Sequence, residues 1–259
     1  MYLAVNLSIK MYLPVKFMLF NQGIGGTMEY RHMDGAQESA PKKRKTSWKK
    51  DPAAVKEDIL TVATEAFAAH GLSGANINEI AEKTSTSKRM IYYYFGDKEG
   101  LYRSVLERVY SSLRESEQAL NVADLEPIMA LRRLTEATFD SHVKNPQFIR
   151  LVMIENIHNA EYARKSDVIP TLNKAIIDKL ADVCARGKAS GVLRDDADPL
   201  ELHWMTSSAS FYNVSNRATF ATSFGGRLFT TEGQKRIRER VVDMVLGAVV
   251  VDYRPRSGG

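Results

Sequence analysis

Residues 84–102 read TSTSKRMIYYYFGDKEGLY, and their spacing decides the fold. Ser87 is a helix-capping residue ahead of KRMIYYYF, and Asp97 is a second one ahead of a longer run through LYRSVLERVYSSLRESEQAL. At helical spacing, Lys88, Arg89 and Tyr92 share one face, while Ile91 and Phe95 lie on the opposite one. The inner pair is expected to pack against Ile59, Phe67, Ile77 and Ile80. Tyr93 is expected at the edge of that core, with Tyr92 and Tyr94 holding their rings against the protein and their phenols outward. A helical hairpin whose tyrosines only fill space is the competing reading. Two adjacent cations and a fresh helix N-terminus at Asp97-Lys98, whose free N–H groups suit phosphate, favour contact with nucleic acid.

Upstream, DPAAVKEDILTVATEAFAAHG puts Ile59, Ala63 and Phe67 on one stripe, has Pro52 in its first turn and stops at His70-Gly71. Asn76 and Glu79 have the spacing of a capping box for a helix that runs to about Thr84. Residues 52–95 therefore hold three short helices, the last two joined by a brief turn in the helix-turn-helix manner. Downstream, one helix is expected from about Pro127 to Lys144 and another from Pro146. A third carries VIPTLNKAIIDKLADVCARGKASG and ends on Gly191. A long one opens at Asp198-Pro199 and closes at Gly225-Gly226. The last has Ile237, Val241, Val245 and Val249 on one stripe, which reads equally as a dimer interface or as ordinary core. Alternating strand patterns are absent, so the expected class is all-α. The expected divisions are a peripheral extension over 1–50, a helix-turn-helix domain over 51–97, a larger helical domain over 98–253 and a tail over 254–259.

The chain has 259 residues, 44% of them hydrophobic, and a formal net charge of +5, which is too mild to mark a polycation. Its informative charge is local: PKKRKTSWKK at 41–50 has six cations and no anion. Lys42, Lys43, Arg44 and Lys45 would suit phosphates or a minor groove, and a solvated tail is an equal alternative. The lone Cys184 excludes an internal disulfide, suits a reducing cytoplasm and reads as a small buried hydrophobe. The opening MYLAVNLSIKMYLPVKFMLF is interrupted by Lys10, Pro14 and Lys16, so it reads neither as a membrane span nor as a signal peptide. It is expected to be an upstream extension, with the working protein starting near Met28 or Met33. The five histidines show no metal-ligand spacing, and no nucleophile or phosphate-cradling motif is present. No catalytic residue, metal or cofactor is expected.

INEIAEKTSTSKRMIYYYFGDKEGLYRSVL resembles the DNA-binding domain of the tetracycline-repressor family of bacterial transcriptional regulators. The likeness covers about residues 53–106 at fixed spacing. It implies DNA contacts at Asn76, Asn78, Ser87, Lys88, Arg89, Tyr92 and Tyr94, with Lys98 on a phosphate. Ser85 departs from the glycine usual at the turn, and Arg89 stands where a small residue or proline is common. Residues 120–253 resemble, less specifically, one branch of the family whose members sense nucleobases and aromatic or heterocyclic acids. That likeness implies a homodimer formed through the last two helices on a palindromic operator in double-stranded DNA. It also implies an aromatic or heterocyclic small-molecule effector bound among the helices of the larger domain. Trp204, Ser207, Ser208 and Phe211 share a face there, and His142 and Asn156 stand on two earlier helices. Ser207 and Phe211 replace the bulkier or amide-bearing groups of pyrimidine-sensing relatives. The expected function is a cytoplasmic repressor released from its operator by that effector. A ligand-independent dimer that organises or occludes chromosomal sites is the alternative. No membrane partner is expected.

Overall fold

A computed structural model describes residues 51–254, so the extension, the basic arm at 42–50 and the tail beyond Arg254 lie outside the described residues. Those residues form ten helices and two short 3-10 turns, and the only extended pairing among them is an isolated bridge between Leu193 and Val250. The helices are α1 (Pro52–Gly74), α2 (Ile77–Lys83), α3 (Lys88–Phe95), α4 (Lys98–Gln118) and α5 (Pro127–Lys144). They continue with α6 (Pro146–Ile157), α7 (Val168–Ala189), α8 (Pro199–Ser215), α9 (Arg217–Phe224) and α10 (Thr231–Val249). None is long and apolar enough to cross a membrane.

Local chemistry places most of the boundaries. Asp51 Oδ1 accepts from Ala53 N at 2.9 Å ahead of Pro52, and α1 breaks at Gly71, whose φ of 67° suits glycine. Asn76 caps α2 by accepting from Asn78 N at 2.9 Å. Glu79 accepts from the Asn76 side-chain amide at 3.3 Å, so only half of the expected capping box is made. Asp97 Oδ1 accepts from Gly100 N at 2.7 Å at the head of α4. Gly100 is buried under the end of α3, and a Cβ added there would sit 2.1 Å from the Phe95 carbonyl oxygen. Gly100→Ala should therefore push α3 off α4 and cost about 1–3 kcal/mol, read as a lower urea midpoint.

Two apolar clusters carry the packing. One joins α1, α2 and α3 to α4 through Ile59, Phe67, Ile80, Ile91 and Leu106, and extends to Leu151 of α6. The other fills the space between α5, α7, α8 and α10 with Leu131, Val183, Leu202 and Leu246, and takes in Cys184. Two expectations change here. The long helix after Asp198 is two helices, because the backbone turns at Asn216 (φ −101°, ψ 6°). There the Asn213 and Gln234 side chains exchange hydrogen bonds of 2.9 and 3.0 Å and tie the end of α8 to α10. The α10 stripe is core: Val241, Val245 and Val249 are buried within one protomer, so they are not available to a second copy.

Candidate nucleic-acid interface and core cleft

The turn between α2 and α3 holds Ser85 at φ 52°, the left-handed conformation its position demands, on a residue that adopts it at some cost. Ser87 then caps α3, its Oγ accepting from Met90 N at 3.2 Å. The outer face of α3 presents exposed Lys88 and Arg89 beside half-buried Tyr92, with the Lys88 ammonium 5.5 Å from the Tyr92 ring. Ile91 is fully buried on the inner face. Asn76 and Asn78 are exposed at the start of α2. Lys98 Nζ donates to the Ser73 carbonyl at 3.3 Å, which ties α4 to the end of α1 and leaves its other two N–H groups for a phosphate.

One tyrosine sorts differently from the expectation. Tyr93 is 77% exposed and is no core-edge residue. It follows Arg89 by four positions and so joins the outer face, whereas Tyr94 follows Ile91 by three, is half-buried and keeps its ring against the protein as expected. The Tyr94 ring packs on the apolar cluster beneath Lys56, whose Nζ lies 5.3 Å from its centroid. Lys56 was not legible as a partner, since α1 and α3 meet only in three dimensions.

A second feature lies among α4, α5, α6, α7 and α8. His142, Asn156, Trp204, Ser207, Ser208 and Phe211 all line one cleft of about 300 Å³. Trp204, 69% exposed, and Asn156 stand at its mouth; His142, 5% exposed, lies at its floor. Sequence reasoning missed the rest of the floor. Arg114 and Glu117, side by side on α4, are 6% and 3% exposed and form an ion pair, and Arg114 Nε donates to Asn173 Oδ1 at 2.9 Å. Lys179 caps the end of α4, donating to the carbonyls of Glu117 and Leu120 at 2.9 Å each. Tyr110 and Phe148 meet edge to face at 5.1 Å beside them.

Burial, then the positive charge of Arg114, holds both cleft histidines well below their usual range: His142 and His203 are each lowered from 6.5 to about 4. The fold keeps them neutral, so between pH 6.5 and about 4 the unfolded chain binds protons that the folded chain refuses. Their contribution to stability is complete above pH 6.5 and is lost as the pH falls towards 4. His142→Gln should flatten that acid limb by on the order of 1–3 kcal/mol, measured as urea midpoints across the range.

Two family models match the chain. Residues 59–105 match bacterial regulatory proteins of the tetR family, and residues 127–245 match the tetracyclin repressor-like C-terminal domain. The chain is 34% identical over 167 residues to the HTH-type transcriptional repressor NicS of Pseudomonas putida, spanning 64% of this chain and 79% of that one. It is 27% identical over 214 residues to the HTH-type transcriptional regulator RutR of Escherichia coli K12, spanning 82% and 97%. Among solved structures, SCO4942 of Streptomyces coelicolor, described as a transcriptional regulator, superimposes with a TM-score of 0.58 at 25% identity over 75% of this chain and 98% of that one.

Proposed function

The chain belongs to the tetracycline-repressor family and is a DNA-binding transcriptional regulator; from that premise we propose which residues hold its operator and which receive its effector. Regulators of this family are not enzymes; they bind operator DNA as dimers and take ligands in the C-terminal domain. The outer face of α3, with Lys88, Arg89, Tyr92 and the newly exposed Tyr93, reads base edges in the major groove. Asn76, Asn78, Ser87, Tyr94 and Lys98 flank it and hold the backbone phosphates. Two such heads sit on half-sites of a palindrome about 34 Å apart. The copies join through the sides of α8 and α10 that the core leaves uncovered, where Leu200, Tyr212 and Met244 are exposed. A chromosomal partner puts the protein in the cytoplasm.

One observation carries the effector reading: α4 leaves the DNA-binding head at Asp97 and ends with Arg114 and Glu117 in the floor of the cleft. A small aromatic or heterocyclic molecule lodged there displaces the far end of α4. That shift moves α3 and changes the separation of the two recognition helices. Turning a 1:99 population into 99:1 takes roughly 5.5 kcal/mol of differential affinity, which a buried ring with a few hydrogen bonds supplies. Phe211→Ala, which removes aromatic surface from the cleft without filling it, should leave operator affinity within about threefold of wild type and weaken ligand release by about tenfold or more, followed by DNA anisotropy. Operator binding that no small molecule relieves would favour the ligand-independent, site-occluding dimer.

A further inference from the structure

The deep end of the cleft constrains what its occupant carries. Among the described residues, Glu117 Oε1 and His142 Nδ1 are buried and have no hydrogen-bond partner. Arg114 donates only through Nε, to Asn173, and Nη1, to Glu117, so Nη2 has no acceptor there. A buried carboxylate oxygen without a donor is costly, and native interiors satisfy such atoms with water or ligand. These three groups stand beside the aromatic surfaces of Tyr110, Phe148 and Phe211.

Resting on the assignment of this cleft to the effector, we infer that the ligand is an uncharged planar ring of the cyclic-amide type, its N–H facing Glu117 and its carbonyl facing Arg114. Charge decides against an acid. Arg114 and Glu117 are the charged side chains lining the cleft, one of each sign, and they already neutralise each other. His142 and His203 add no charge near neutral pH. Lys179, the next cation, is spent on the carbonyl end of α4. A ligand carboxylate would share one guanidinium with Glu117 inside a low-dielectric floor, where two like charges repel. A ring with donor and acceptor side by side satisfies Glu117 and Arg114 together and leaves the balance unchanged. The volume of about 300 Å³ is at the small end for ligand sites and suits one ring or two fused rings.

The test uses the full-length dimer carrying Trp48→Phe, so that emission reports Trp204 at the cleft mouth. Three probes of similar size are titrated: 2-pyridone, 2-methoxypyridine, which lacks the N–H, and benzoate. The inference expects 2-pyridone to bind about tenfold tighter than either, one hydrogen bond's worth of selectivity. In Glu117→Gln, Arg114 keeps the amide oxygen and the amide nitrogen replaces Oε1. The preference should then reverse, with 2-methoxypyridine gaining and 2-pyridone losing about tenfold; a cooperative urea transition shows that the variant is folded. Benzoate binding tightest to the Trp48→Phe protein, or a Glu117→Gln ranking identical to it, overturns the ligand class while the effector site stands. No emission change with any probe at millimolar concentration overturns the cleft assignment as well.

Discussion

Lys88→Ala combined with Arg89→Ala is expected to weaken operator binding by about a thousandfold. Both side chains are exposed on the outer face of α3, and among the described residues neither forms an ion pair that would compete with DNA. A base-edge contact from arginine is worth about 1–3 kcal/mol, and a hydrogen bond from lysine to a phosphate on the order of 1 kcal/mol net. A dimer repeats each contact in two half-sites, so four losses of about 1 kcal/mol apiece reach that figure. The single variants should separate the roles. Arg89→Ala relaxes discrimination among operator sequences. Lys98→Ala weakens all sequences alike and reduces the log–log salt slope by about 0.9 for each phosphate given up. Fluorescence anisotropy of labelled operators across a salt series measures all three, and a double variant with wild-type affinity would remove α3 as the recognition element.

Phe67→Ala is expected to destabilise the protein by about 3–5 kcal/mol, a large part of a typical margin of 5–15 kcal/mol. Phe67 is fully buried between the head helices, and its ring meets Tyr102 edge-on at 5.1 Å. Truncation opens a cavity where α1 and α4 join, and fully buried Ile59 and Ile91 leave little room for collapse. Operator binding should fall with the folded fraction, so urea melts and DNA titrations at one temperature ought to give matching midpoints. A loss of DNA affinity with an unchanged melt would place Phe67 in recognition instead.

The recognition helix was readable because everything that specifies it is local. Ser87 and Asp97 cap their own helices, and the spacing of 88, 89, 91, 92 and 95 assigns faces without reference to the rest of the molecule. Tyr93 shows the limit of that reasoning, since three consecutive tyrosines look alike until their offsets from Ile91 and Arg89 are taken as strictly as those of their neighbours. The six cleft residues chosen from the larger domain do gather. The buried pair that gives the floor its polarity was missed, because LRESEQ reads as a solvated helix face.

The sequence by itself determined the all-helical class, the helix starts and the outward set on α3, because caps, prolines and i, i+4 spacing act within a few residues. Only the tertiary structure decided which apolar stripe meets its own subunit, as Val241, Val245 and Val249 do, and that the chain turns at Asn216. It also decided that Arg114 and Glu117 lie out of water. Burial is set by where distant helices land: α5, α6, α7 and α8 close over the end of α4, and no pattern within α4 records their arrival.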